Sequence, residues 1–282
     1  MLRSVFSVQK WKHLFKMFDD IRKINQRLSG RIEEAGIIEG IHFVKLKEGY
    51  HFFSYPAKVY QKQWYFLLNK SIKKHVPPEC MNVLFDVSFR YIGPSSKQAA
   101  FDEGKYFDIA KGAHVVEIGA FIGLQAIRLA EIVGEKGRVV AVEAVKENFE
   151  MMKKNIEFNG ISTIDFHNVA IWKEKGTLDF YFDDAQKNSA DASVVKHKRV
   201  EVVPCDTIDN MVRLSSLEKV DFVRIQVNGV EKEAIEGMSM TIKDAPKILV
   251  AVPYKNRLEI KNTLKGYHYK VKESKHSLLA EV

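Results

Sequence analysis

Cysteine is scarce. Cys80 and Cys205 are the two in 282 residues, too few for a disulfide framework and without the spacing of a metal site. No apolar run approaches the roughly 18 residues of a membrane span. The amino end lacks the uninterrupted apolar core of a signal peptide. These absences predict a chain without a transmembrane segment, working in a reducing compartment, the cytoplasm. No internal repeat and no low-complexity segment occurs, which excludes repeat and fibrous architectures. Proline is sparse at seven residues. Pro77, Pro78 and Pro94, with Gly93, predict an irregular stretch over 76–100.

What remains is ordinary globular composition, 46% hydrophobic, at a length suited to one large domain or one with a smaller module. The formal net charge is +8. That excess suits anionic partners such as nucleic acid, nucleotide-sugars or lipid headgroups, and equally a solvated basic surface.

The densest pattern runs from His114 to Ala144: HVVEIGAFIGLQAIRLAEIVGEKGRVVAVEA. It reads as strand, glycine turn, helix, turn, strand. Val115, Val116 and Ile118 suit a parallel strand buried on both faces. Glu117 interrupts them, and a carboxylate there needs a partner because burying an unpaired charge is costly. At the strand's carboxyl end it can face the crevice where open α/β sheets bind ligands. There it can hold the ammonium of a methionine moiety, directly or through water. Gly119 permits a tight turn and Gly123 a close backbone approach. The helix expected over Phe121–Val133 aims its amino end at the ligand and favours a carboxylate. Glu143 ends the second strand, 20 residues beyond Gly123, placed to accept hydrogen bonds from ribose hydroxyls. A nicotinamide or flavin site would prefer G-x-G-x-x-G. Here Phe121 stands at the middle glycine, where it would crowd a pyrophosphate that Glu117 would also repel. The pattern therefore points to S-adenosylmethionine.

Elsewhere the reading is coarser. Trp11, Leu14, Phe15, Phe18, Ile21, Ile24 and Leu28 recur at helical spacing, with Lys10, Lys12, Lys16, Arg22, Lys23 and Arg27 opposite. Gly30 is a plausible stop. A basic amphipathic helix over 10–28 can pack on its own domain, meet a partner, or lie on a membrane as a peripheral contact. IHFVKL and YHFFSY suit short strands, and AKVYQKQWYFLL a helix after them. The catalytic domain is expected over 81–282, with a mainly helical module over 1–80 and Phe101 opening a first helix. KENFEMMKKNIEFNG reads as a helix closed by Asn159-Gly160. Strands are expected over 164–171, 176–182, 220–227 and 247–252, in RVEVVP and in the closing GYHYKV and SLLAEV. A short helix follows RVEVVP, another is expected over 230–238, and a mobile loop over 183–199. Strands alternating with helices imply a parallel sheet with right-handed crossovers.

The order of these motifs resembles the FkbM-like family of S-adenosylmethionine-dependent methyltransferases. EIGAFIG looks like the family's D-x-G-A-N-x-G, and AVEAVKENFEMMKKNIEFNG like its E-P-x-x-x-x-F segment. NVAIWKEKGTLDFYF, VEVVPCDTIDNM and VDFVRIQVNGVEKEAIEGM resemble its later motifs in order and spacing. The resemblance covers residues from about 85 onward. It implies an α/β Rossmann-like fold, a mixed seven-stranded sheet of order 3-2-1-4-5-7-6 with helices on both faces. It also implies O-methylation of a small-molecule acceptor such as a sugar or polyketide. By position it assigns Glu117, Gly119, Ala120, Phe121, Gly123, Glu143 and Ala144 to the cofactor, and sets Asn168, Val169 and Ala170 beside the adenine. Arg224, Gln226 and Asn228 fall in its catalytic segment. No metal ligands are implied.

The departures carry chemistry. Where the family shows K-I-D-V-E-G, this chain has Arg224-Ile-Gln226-Val-Asn228-Gly229, so both carboxylates have become amides. Phe121 replaces an Asn, and Ala251 and Val252 stand where an acid and a histidine are frequent. A carboxylate at that strand end can take a hydroxyl proton or help hold a metal. Amides donate and accept hydrogen bonds but are not bases. Three readings follow. The acceptor needs little base assistance, as an amine, thiol or carboxylate would; or a base comes from elsewhere, for instance His167, His197 or an acid within 183–191; or the chain binds the cofactor as a regulatory or assembly subunit. RNA or DNA methylation suits the positive charge, but the N-P-P-Y type motif is absent, since Asn228 precedes Gly-Val-Glu.

Overall fold

The computed structural model describes residues 8–56, 65–92, 108–182, 188–189, 199–251, 256–274 and 277–282, without the side chains of 8–17 and 188–189. The chain divides into two compact units, Met1–Ser96 and Lys97–Val282.

The first unit opens with helix α1 (Val8–Leu28). Its expected apolar stripe is buried at Ile21, Ile24 and Leu28, whereas Phe18 is exposed. Trp11, Leu14 and Phe15 lie outside the described side chains. Arg27, expected on the solvent side, is buried. Its guanidinium donates to the Ser88 carbonyl at 2.6 Å and sits 5.0 Å from the Phe89 ring centroid. The carboxyl half of α1 thus packs on its own unit. Strands β1 (Ile32–Ile38), β2 (Ile41–Leu46) and β3 (His51–Ser54) form an antiparallel sheet in that order. The β1–β2 turn uses left-handed Glu39 and Gly40, the geometry that matches strand twist in a two-residue hairpin. The described part of the stretch expected to be irregular, residues 76–92, is largely helical. A 3₁₀ turn at Pro78–Cys80 leads into α2 (Met81–Asp86), which widens into a π-type turn over Val87–Tyr91. Pro78 sits at the first helical position, where its missing N–H costs nothing. Residues 81–91, expected to open the second domain, belong to the first. Asp86 accepts from the Ser54 hydroxyl of β3, and His42 of β2 bonds the Glu79 carbonyl at 2.6 Å. The expected helix start at Phe101, and residues 57–64 of the expected earlier helix, lie outside the described residues.

The second unit is built on a seven-stranded sheet. Its strands are β4 (His114–Ile118), β5 (Arg138–Glu143), β6 (Ile164–Asn168), β11 (Phe222–Ile225), β12 (Lys247–Ala251), β13 (Lys270–Glu273) and β14 (Ser277–Glu281). They lie in the order β13-β14-β12-β11-β4-β5-β6. Only β14 runs antiparallel to its neighbours. In chain order this is 6-7-5-4-1-2-3, the expected methyltransferase order read from the other edge. Val116, Ile118, Val140, Val142, Val223, Ile225, Ile248 and Val250 line one face, in a single apolar cluster with Met211, Ala234, Ile235, Ile260 and Leu264. Each of the valine, isoleucine, leucine and methionine side chains among them, fully buried, contributes about 1.5–3 kcal/mol of transfer free energy. Helices α5 (Ile208–Leu214), α6 (Glu231–Glu236) and α7 (Arg257–Gly266) supply those partners. Right-handed crossovers place α3 (Leu124–Val133) and α4 (Lys146–Phe158), which run the other way along the sheet, on the opposite face.

Two expectations change here. Residues 164–171 are two strands, because β7 (Ala170–Ile171) leaves the main sheet. It joins a second sheet, β7-β10-β8-β9, with β8 (Gly176–Phe182), β9 (Asn188–Ser189) and β10 (Arg199–Asp206). Ala170 is buried there with Val145, Phe180, Phe182 and Cys205. Helix α7, not foreseen, shows few apolar positions: Ile260 and Leu264 are buried one turn apart while Leu258 is exposed. Most of the expected loop over 183–199 lies outside the described residues.

Asp86 offers a test of the first unit. Burial pushes its carboxyl above the ordinary range, while Arg90 and Ser54 pull it back. Asp86→Ala strips the buried Ser54 hydroxyl of its acceptor and should lower the unit's stability by about 1–3 kcal/mol. Arg90→Ala should cost less, since that side chain is 43% exposed. Urea midpoints of the full chain measure both.

Candidate cofactor and methyl-transfer site

The strand connections reverse direction between β4 and β11, which makes their carboxyl ends the switch-point crevice of the sheet. Gln226 N–H donates to the Ile118 carbonyl at 2.9 Å, extending the β4–β11 ladder by one residue. The chain then leaves β4 toward β5: Gly119 and Ala120 N–H both donate to the Val142 carbonyl, at 2.9 and 3.0 Å. Gly119 has φ +80°, and a Cβ there would lie 2.0 Å from the Gln226 carbonyl oxygen. The expected tight turn is thus required by the neighbouring strand as well as by backbone conformation. Gly123, at φ +81°, makes its close approach to a helix. A Cβ there would lie 2.6 Å from Met152 Cγ, so this glycine admits α4 against the turn.

Phe121 stands between them at φ +54°, an uncommon conformation for a bulky residue. Its N–H donates to Glu143 Oε2 at 2.8 Å, a charge-assisted bond that holds the turn in place. This is why the helix begins at Leu124 and not at Phe121. Glu143 ends β5 nearly buried, and its Oε1 accepts from Val145 N–H at 3.0 Å and Asn148 Nδ2 at 3.3 Å. Asn168 braces the same strand end, donating from Nδ2 to the carbonyls of Glu143 at 2.9 Å and Ala144 at 3.1 Å. Val169 packs against the core of the main sheet and Ala170 into the second sheet. The residues expected at the cofactor thus surround one carboxylate and one left-handed turn.

Glu117 is completely buried, and its partner is inside the protein. The register sets it beside Arg224, whose Nη1 donates to Glu117 Oε1 at 2.8 Å while Nη2 donates to Gln226 Oε1 at 2.6 Å. The carboxylate expected to meet a ligand's ammonium therefore meets a guanidinium. Asn228 is exposed at φ +56°. The following Gly229 N–H donates to both oxygens of Glu231, at 3.1 and 3.0 Å, and its carbonyl accepts from Asn256 Nδ2 at 2.8 Å. His167 lies on the other face of the sheet: it pairs with Val142, in the row of Ile118, whereas Glu117 pairs with Ala141. Its Nε2 is 3.0 Å from Ser215 Oγ, and burial lowers its pKa. His197 and residues 183–187 and 190–191 lie outside the described residues. Asn148, Glu231 and Asn256 were not anticipated. Asn148 and Glu231 sit in the first turns of α4 and α6, where a side chain that reaches back to the preceding loop was the available signal.

A strand-end carboxylate fixed by backbone N–H groups, over a left-handed glycine turn, suits the ribose of a nucleoside. A carboxylate offers about four lone-pair positions. With the strand order, this defines a class I methyltransferase fold, the class that uses S-adenosylmethionine. A family model described as the methyltransferase FkbM domain matches residues 117–271, over half of the chain. The chain belongs to the FkbM family of S-adenosylmethionine-dependent methyltransferases. Among curated proteins it is 30% identical over 138 residues to caffeoyl-CoA O-methyltransferase 1 of Arabidopsis thaliana, covering 44% of this chain and 52% of that one. It is 37% identical over 73 residues to protein-L-isoaspartate O-methyltransferase 1 of Archaeoglobus fulgidus, covering 26% of this chain and 32% of that one. The matched stretch thus spans about half of the first relative and a third of the second. A structure of methyltransferase FkbM from Methylobacillus flagellatus KT is 12% identical, with a TM-score of 0.47, over 96% of this chain and 60% of its own.

Glu231 makes the geometry behind Asn228 dependent on pH. Burial raises its pKa above the ordinary 4.5, against the hydrogen bond from Gly229. A raised folded-state pKa means that the folded chain holds the proton more tightly. The associated stability is full below about pH 4.5 and is lost as pH rises through the folded value. Glu231→Gln should remove this component, so its melting temperature should fall less than wild type's between pH 4.5 and 7 in scanning calorimetry.

Proposed function

We propose that the protein transfers the methyl group of S-adenosylmethionine to an oxygen of a small-molecule acceptor, in the cytoplasm. The observation that carries this reading is Glu143, clamped by the Phe121 N–H beside the switch point. When bound, the cofactor supplies a methyl carbon on a positively charged sulfur. Glu143, with the turn Gly119–Gly123 and Ala144, would hold the nucleoside. Asn168 keeps the Glu143–Ala144 backbone in position, and Val169 and Ala170 anchor the chain beyond it. Arg224, Gln226 and Asn228 border the acceptor side. Because such a transfer is a displacement, the chain's task is to align the acceptor and exclude water, and orientation alone can be worth several kcal/mol.

The names of both relatives specify methylation of oxygen, which supports an oxygen acceptor here. The buried thiols of Cys80 and Cys205 agree with a reducing compartment. No helix of the described residues is long and apolar enough to cross a membrane.

Calorimetric titration with S-adenosylmethionine and S-adenosylhomocysteine should give micromolar dissociation constants. Glu143→Ala removes an acceptor for two ribose hydroxyls and loosens the turn. Affinity should fall about tenfold or more, at roughly 0.5–1.5 kcal/mol per hydrogen bond. Wild-type affinity in that variant would sink the assignment. Binding without transfer to any acceptor would favour a regulatory subunit. Salt-dependent binding of RNA or DNA, with transfer to it, would favour a nucleic-acid substrate.

A further inference from the structure

We infer that the acceptor is an oxyanion, of the carboxylate class, and that Gln226 selects it. This deepens the methyl-transfer reading and rests on it. Arg224 has only N–H groups to offer, so the atom of Gln226 at 2.6 Å from its Nη2 is the amide oxygen. Gln226 Nε2 is thereby turned away from Arg224. The orientation is held from below. Nη1 of the same guanidinium is bound to the fully buried Glu117 at 2.8 Å, so rotating Arg224 away would break a buried ion pair. Gln226 sits at the mouth of the switch-point crevice, its backbone carbonyl against Gly119. At the place where the resembling family carries an aspartate, this chain therefore presents an N–H donor.

The consequence is chemical. An alcohol acceptor has to lose its proton to form an ether, and an amide cannot take it at neutral pH. Among the described residues, Glu231 accepts from the Gly229 N–H and His167 is bound to Ser215 on the opposite face. A carboxylate acceptor has no proton to lose. A lone pair on its oxygen forms the new O–CH₃ bond while the C–S bond breaks and leaves its pair on sulfur. The products are a methyl ester and a neutral thioether, and no proton moves. The charges also balance: Glu117 neutralises Arg224, Gln226 adds none, and an anionic acceptor meets a donor in place of a second carboxylate.

The test uses the full chain, methyl-labelled S-adenosylmethionine, and 4-hydroxyphenylacetate with a small-molecule cell extract as acceptors. Each 4-hydroxyphenylacetate molecule offers both a carboxylate and a hydroxyl. Mild base releases methanol from a methyl ester but leaves a methyl ether intact. The expected label is base-labile. Gln226→Glu keeps the shape and the contact with Arg224 but replaces the donor by a second anion. It should lower ester formation by about tenfold or more through like-charge repulsion while S-adenosylhomocysteine affinity stays within about threefold of wild type. Base-stable label, or ester formation unchanged in Gln226→Glu, overturns the inference and leaves the methyl-transfer reading standing. If no label transfers, calorimetry on the S-adenosylhomocysteine complex decides. Binding of 4-hydroxyphenylacetate but not tyramine, lost in Gln226→Glu, supports the inference; any other pattern overturns it. Failure to bind S-adenosylhomocysteine fells the methyl-transfer reading first, and this inference with it.

Discussion

A carboxylate inside a parallel sheet needs a partner, and the Glu117–Arg224 pair is the constraint on which the site depends. The two residues face each other because β4 and β11 are in register there, and the pair lies just before the two strands part. Desolvating both charges is expensive, and replacement by apolar residues of similar volume is often neutral or stabilising. What the pair provides is placement. One guanidinium fixes Glu117 on one strand and the amide of Gln226 on the other. The crevice mouth is thus set by a buried charge and not by a loop.

The second carboxylate works the other way. Glu143 is surrounded by N–H donors from Phe121, Val145 and Asn148, which meet it with hydrogen bonds. It also carries the cost of left-handed Phe121. A residue of this size at positive φ persists only where its surroundings over-determine it, and here a charge-assisted bond from its own N–H does so. The same carboxylate that suits a ribose therefore shapes the turn beside the ribose, and changes at Glu143 act on both.

Much of this was legible in the sequence. Buried strands such as HVVEI and RVVAVE declare themselves by apolar runs with an acid at or next to the carboxyl end, alternation implied the parallel sheet, and the strand order came from the resemblance. Glycine positions were legible too, but not every neighbour they admit: Gly123 faces Met152, a contact 29 residues along the chain that no local pattern encodes. Helical structure over Pro78–Tyr91 was hidden by its prolines, because Pro at a first helical position and Pro as a breaker look alike in sequence. The short α7 was hidden by polarity, since only Ile260 and Leu264 turn inward. The break between β6 and β7 was hidden because NVAI keeps its apolar character while changing sheets.

The partner of Glu117 shows the limit most clearly. Its burial could be read from its strand, and the need for a partner followed. A ligand's ammonium was the partner expected, and the structure puts Arg224 there. Only register decides between them, and register is a property of two strands separated by more than a hundred residues. Once it is fixed, the amides at 226 and 228 change meaning. They no longer read as the remains of an acidic site, because Gln226 is held in one orientation by a charge that an aspartate would have partly cancelled. A site meant only to lose its base would not need that arginine so firmly placed. The polarity of this crevice is therefore a property of the whole Glu117–Arg224–Gln226 set, and substitution at any one of the three redefines what the other two present.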